Sequence, residues 1–249
     1  RPEPPEPGES FQNAGFFDAY FSNFIEGTEF LVEEAREIVF ENKIPVARSE
    51  DAHDVLGTYR IVGNRSSMAT KISTLSSEGF LRIIKQWHST IMNGRPDKRP
   101  GQFKEIPNRA GITIFVEPEL VKGTLSQGFE MGRALRAPFV RSAFLLFLIS
   151  EVHPFDDGNG RIARAVANAE LISNGQRRVL IPTVYRTEYL DSLRQLSRDS
   201  KAQTFIRMFD QAHEFTAAID FSVFNKSMTQ LEDWCAFDTD ADARLSRPR

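Results

Sequence analysis

The chain has 249 residues, 41% of them apolar and 26% charged, with a net charge of −3 at pH 7. That length supports one sizeable core, and the slight acidity excludes a nucleic-acid binder held by a general basic field. A single cysteine, Cys235, excludes an internal disulfide framework and, with no signal peptide in view, points to a reducing, cytoplasmic setting. The longest apolar run, Phe144 to Ile149, is far short of the roughly 20 residues a membrane helix needs, so no membrane partner is expected.

Residues 1–10 carry four prolines and no apolar periodicity, which predicts an extended lead-in. Phe16, Phe17, Phe21 and Phe24 predict a helix packed on the core within a 11–45 region. Phe30, Leu31, Ala35, Ile38 and Val39 share one face of a helix over 28–42, with Pro45 beyond its end. The same spacing recurs at Phe80, Leu81, Ile84, Trp87, His88 and Ile91, which predicts a helix over 78–92 and makes His88 a hydrogen-bonded core histidine. From Phe103 to Val116 the pattern changes. Pro107, the turn-like 108–111 stretch and β-favouring Ile112 to Val116 predict a small hairpin. Helices follow at about 119–135, 138–152, 161–174, 187–198, 202–217 and 222–235, then a polar tail over 236–249. The expected fold is mainly α, a compact helical bundle with its main domain over 46–235.

Between two of these helices lies His153-Pro-Phe-Asp-Asp-Gly-Asn-Gly-Arg-Ile-Ala-Arg164. Gly158 and Gly160 free the backbone for a close approach by a ligand. The helix that begins near Arg161 aims its free N–H groups at this loop, a ready anion site. Arg161 and Arg164 lie three residues apart and oppose the macrodipole, an arrangement that suits an anion between them, such as a polyphosphate. Asp157 is placed to hold Mg²⁺ against phosphate oxygens. His153 titrates near neutrality and is the natural general base. A plain helix–loop–helix connection fits the same residues, since Asp-Gly and Asn-Gly are ordinary turn signals. Calcium-binding and Walker-type loops do not fit.

The segment matches every fixed position of the Fic signature, HxFx(D/E)GNGRxxR, and the chain resembles that family over roughly residues 20–200. Residues 83–104 resemble the stretch leading into the family's flap, with Lys104 standing where an arginine is usual, and Tyr189 to Leu193 resemble its aromatic helix after the motif. The resemblance implies the Fic fold and transfer of a nucleotide monophosphate, usually AMP from ATP, onto a Ser, Thr or Tyr hydroxyl of a target protein. It implies that His153 takes the hydroxyl proton and that Asp157 holds Mg²⁺ or Mn²⁺. Gly158, Asn159 and Gly160 would cradle the phosphates, Arg161 would meet the β/γ end, and Arg164 the γ-phosphate. Ile112, Thr113, Ile114 and Phe115 would form the target-docking flap.

Ser22 to Gly27 fits a second family pattern, (S/T)xxxE(G/N), of members with an N-terminal inhibitory helix. It implies that Glu26, supported by Ser22, pairs with Arg164 and blocks the γ-phosphate. A carboxylate near a helix C-terminus is disfavoured, and a bidentate contact with Arg164 would offset that. Self-modification and self-association as a homodimer are further expectations from the family. Alternative readings are a hydrolase that removes AMP by using Glu26, a transferase with another donor, and a catalytically silent binding module.

Overall fold

A computed structural model describes residues 8–239 and 244–245. Among them are eleven α-helices: α1 (Gly8–Ile25), α2 (Val32–Glu41), α3 (Ser49–Val62), α4 (Arg65–Met68), α5 (Ser77–Ile91), α6 (Val121–Arg133), α7 (Pro138–Val152), α8 (Asn159–Ile172), α9 (Arg186–Asp199), α10 (Ala202–Ala218) and α11 (Phe224–Asp233). Between α5 and α6, β1 (Arg109–Ala110) and β2 (Thr113–Ile114) form an antiparallel hairpin, with Arg109 opposite Ile114 and Ala110 opposite Thr113. Gly111 takes φ +60° in its turn, a conformation glycine adopts without strain. The mainly helical expectation holds. No helix of the described residues is long and apolar enough to cross a membrane.

The helices α7 and α8 form the centre. Proline in the first turn of α7 matches the helix start, where the missing N–H costs nothing. Twelve of the fourteen residues of α8 are buried, and its alanines at 163, 165, 167 and 169 leave room for close neighbours. Phe80 of α5 and Phe129 of α6 stack at 4.3 Å in the same core. A second cluster is built on α1, whose Phe16, Phe17 and Phe21 pack with Phe221, Phe224 and Phe237.

Three boundaries depart from the sequence reading. The lead-in gives way to helix at Gly8, because Ser10 and Phe11 are already buried; residues 1–7 lie outside the described residues. The helix expected from residue 28 starts at Val32, where Leu31 at the cap position donates its backbone N–H to the Glu34 carboxylate. The expected tail begins as core, since Ala236 is fully buried and Phe237 lies on Tyr20 and Phe21.

The third helix, α3, had no counterpart in the periodicity. It packs on α5 at Gly57, where a Cβ would lie 2.6 Å from the carbonyl oxygens of Thr90 and Ile91. Backbone cannot yield as a side-chain tip can, so Gly57→Ala should force the two helices apart. We expect a loss of about 1–3 kcal/mol in chemical denaturation; an unchanged midpoint would contradict this packing.

Candidate active site

Helix α7 ends at His153, which adopts a left-handed conformation (φ +49°) as its C-cap. Such a backbone costs a non-glycine residue about 1–2 kcal/mol, and the surroundings hold it. Asn108 donates from Nδ2 to the carbonyls of His153 (3.3 Å) and Phe155 (3.0 Å), while Lys104 donates to the Asn108 Oδ1 at 2.6 Å. The Lys104 backbone N–H also meets the Pro154 carbonyl. Lys104, the departure from the family pattern, therefore ties the base of the hairpin to the signature loop. Burial lowers its pKa to about 8.

The loop is braced from both sides. The Asn159 side chain closes it on itself, accepting from Phe155 N–H at 2.8 Å and donating to Phe155 C=O at 2.9 Å. Arg99 holds Asp156 with two bonds of 2.8 and 3.0 Å. His88 is the core histidine the sequence led us to expect, stacked on Phe155 at 3.8 Å. Gly101 N–H donates to its Nδ1, so Nε2 carries the hydrogen and donates to the Asp157 carbonyl at 3.0 Å.

From this loop α8 starts at Asn159, with Gly158 at φ +72° as its cap. The first N–H groups of a helix have no partner within it, so this end presents donors and positive potential. The Glu26 carboxylate lies over that first turn: a Cβ at position 160 would overlap Glu26 Oε1. Glu26 Oε1 accepts from Arg164 Nη2 at 2.6 Å. The other Arg164 donors go to Ser22, Nη2 to its carbonyl at 2.8 Å and Nε to its hydroxyl at 2.9 Å, while Nη1 lies 3.5 Å from the Tyr189 hydroxyl. The bidentate pair expected from sequence is thus single-pronged, because Ser22 takes the second edge of the guanidinium. Burial opposes charge on Glu26, but Arg164 and then Arg161 outweigh it and hold the carboxyl below its ordinary range. Glu26 is therefore ionised at neutral pH.

Arg161 does not share this arrangement. Its buried guanidinium pairs with Asp54 of α3 at 2.7 Å and reaches Asp157 at 3.4 Å. Asp54 also accepts from Arg95 Nε at 2.8 Å. Asp54 holds the Arg161 guanidinium towards α3, from where its charge still acts on the Glu26 carboxylate beside that of Arg164. Sequence gave no hint of Asp54, since an aspartate in a short polar stretch reads as solvated.

A cavity of about 400 Å³ opens beside Arg164. Glu26, Gly160, His153, Thr113, Phe115 and Tyr189 all line it. Phe115 lies flat on the His153 imidazole at 3.8 Å, so it braces this ring and does not face outward with the flap. Ile112 and Ile114 do face outward, 83% and 73% exposed. His153 donates from Nδ1 to the Ser150 carbonyl at 3.2 Å, which leaves Nε2 with its lone pair. Burial lowers the His153 pKa, so the ring is neutral at pH 7 and able to accept a proton. Asp157 keeps its side chain 40% exposed at the edge of the loop.

A family model for the Fic/DOC family matches residues 79–171. A Fido domain-containing protein of Dictyostelium discoideum is 36% identical over 103 residues, which are 39% of this chain and 72% of that protein. The chain belongs to the Fic/DOC family. The protein adenylyltransferase fic-1 of Caenorhabditis briggsae is 24% identical over 186 residues, 72% of this chain and 36% of the relative. This chain spans less than half the length of these adenylyltransferase relatives, 36% of fic-1 and 48% of the protein adenylyltransferase Fic of Drosophila erecta. Among solved structures, a Fic domain-containing signalling protein from Bacteroides thetaiotaomicron superposes with a TM-score of 0.69 at 18% identity, over 92% of both chains, and so shares the fold.

The His88 geometry makes a measurable prediction. Burial, more than the nearby charges, lowers its pKa from 6.5 to about 4. A group buried neutral contributes stability above its unfolded pKa and loses it as pH falls through the folded one. Stability should therefore decline between pH 6.5 and about 4, by up to ~1.4 kcal/mol per pH unit from this one proton. The His88 ring resonance should titrate near pH 4 in NMR, and a midpoint near 6.5 would contradict the assigned bonds.

Proposed function

We propose that this chain is a protein adenylyltransferase of the Fic type, moving AMP from ATP to a Ser, Thr or Tyr hydroxyl of a target protein and held off by Glu26. The observation that carries the reading is that an unprotonated His153 and a glutamate-capped Arg164 open onto one cavity. A triphosphate supplies the anion that Arg164 and the α8 N-terminus call for, and Glu26 stands in that place. With Glu26 seated, its carboxylate and a γ-phosphate compete for one guanidinium, and like charge keeps the phosphate out. With Glu26 displaced, Arg164 and the helix N–H groups would hold the phosphate chain, and His153 Nε2 would take the proton of the incoming hydroxyl as it attacks the α-phosphorus, the bond from that phosphorus to the bridging oxygen breaking and pyrophosphate leaving. Positioning and charge stabilisation supply most of the acceleration in such transfers.

Asp157 is the residue that would hold Mg²⁺. No group of three or more metal-ligating side chains occurs among the described residues. The donor set nevertheless fits an ion that takes one or two carboxylates and completes its shell with phosphate and water. Such an ion neutralises phosphate charge; the orientation of Asp157 comes from this chain, through Gly158 N–H at 2.6 Å and Arg161. We place target docking on the hairpin, whose exposed Ile112 and Ile114 flank Thr113 at the cavity wall. Removal of AMP is a second reading, favoured by the ionised Glu26 in the same cavity as His153.

Transfer from α-labelled ATP tests both. Glu26→Gly should raise label incorporation at least about tenfold, since the competing ion pair is gone. His153→Ala should bind ATP with ordinary affinity and lose transfer by about 10²–10⁴-fold. Equal incorporation by Glu26→Gly and wild type would remove the inhibitory role. Release of AMP from a modified protein by wild type, lost in Glu26→Gly, would establish the hydrolase.

A further inference from the structure

We propose that Glu151 is the residue that selects the nucleobase, accepting a hydrogen bond from the 6-amino group of adenine. This rests on the nucleotide reading above.

The cavity has two ends. One holds Arg164 and the α8 N-terminus, which suit phosphates. The other is followed along α9, whose Tyr189, Leu190, Leu193 and Ser197 line the wall in succession. At 1.5 Å per residue, Tyr189 to Ser197 covers about 12 Å. The intervening wall is apolar, with Leu190 and Leu193 on α9, Phe147 on α7 and Phe115 on the hairpin. Flat apolar walls suit an aromatic ring. At the far end stands Glu151.

Three features mark Glu151. It lies in the last turn of α7, where the macrodipole disfavours a carboxylate. It is half-buried, yet no cation pairs with it among the described residues. Its one polar contact among the described residues is Ser197, whose hydroxyl donates to Oε1 at 3.1 Å. Arg194 on the same wall is engaged with Asp191 at 2.6 Å. The second carboxylate oxygen, Oε2, is thus an open acceptor at the end of an apolar slot. A carboxylate cannot donate, so it favours a base edge with an amino group and opposes one with a carbonyl at that position. Hypoxanthine carries that carbonyl on the same purine ring system, with a hydrogen on N1 where adenine has a lone pair.

The test measures the affinities of ATP and ITP by calorimetry for wild type, Glu151→Gln and Glu151→Ala, with melting curves to confirm folding. Wild type should bind ATP at least about tenfold more tightly than ITP, the value of one hydrogen bond to a charged acceptor. Glu151→Gln, whose amide can donate to the carbonyl, should bring the two within a few-fold, and Glu151→Ala should do the same by removing the acceptor. Equal ATP and ITP affinity in wild type overturns the assignment whatever the variants do. It is also overturned if both variants keep the full preference, or if they slow transfer to a target while both affinities stay at wild-type values. Binding of neither nucleotide by wild type or by Glu26→Gly would instead mean that the nucleotide reading itself fails, and the role of Glu151 with it.

Discussion

A guanidinium buried to 5% exposure, at Arg164, sets the terms for the rest of the molecule. An arginine cannot shed its proton at that depth, so every face of it must be met by an acceptor. Helix α1 and the turn that follows it meet it with three oxygens, two from Ser22 and one from Glu26. The same helix extends the pattern one turn earlier, where Asp18 accepts from Asn168 of α8 at 2.8 Å and from Arg178 at 3.2 Å. Asp18 and Ser22 lie four residues apart on one face of α1, and Glu26 continues that line in the turn just past its end. This polar ladder fixes the register of α1 on α8, and with it the position of the Glu26 carboxylate.

The other faces of α1 restrict how Glu26 can leave. Fourteen of its eighteen residues are buried, many of them in the phenylalanine cluster. Withdrawing the whole helix would expose that cluster and strand Asp18 and Arg178. The turn at its end is more easily moved. Glu26 lies beyond the last helical residue, and Gly27 beside it takes φ +90° with open space around it. Arg186 steadies this turn by donating to the Ile25 carbonyl at 2.9 Å. Under the proposed inhibition, release of Glu26 would be a local matter of residues 25–27, compatible with an intact core.

Much of this was legible in the sequence. The apolar spacing of α5 and the proline and glycine boundaries of α7 and α8 placed those helices within two residues, because each has one driving force and nothing opposing it. The signature loop, Glu26 and Ser22 were legible as patterns, and the structure brings Glu26, Ser22, His153, Gly160 and Arg164 together. Other features had no sequence signal. Helix α3 buries Asp54 and Thr58 and carries glycine at 57, so its apolar periodicity is broken by the residues that make its contacts. Asp54 in turn captures Arg161, a pairing over more than a hundred positions that no local pattern reveals. Phe115 read as a flap residue because β propensity does not say which side chain of a short hairpin turns inward onto His153.

The competition between Glu26 and a phosphate for Arg164 is the claim on which the functional account stands. Crystal structures of wild type and Glu26→Gly, each soaked with the same non-hydrolysable ATP analogue and Mg²⁺, test it most directly. The account predicts the γ-phosphate on Arg164 in the variant alone, with the α-phosphate brought within reach of His153 Nε2. An identical phosphate pose in both proteins, with Glu26 still on Arg164 in wild type, would contradict it.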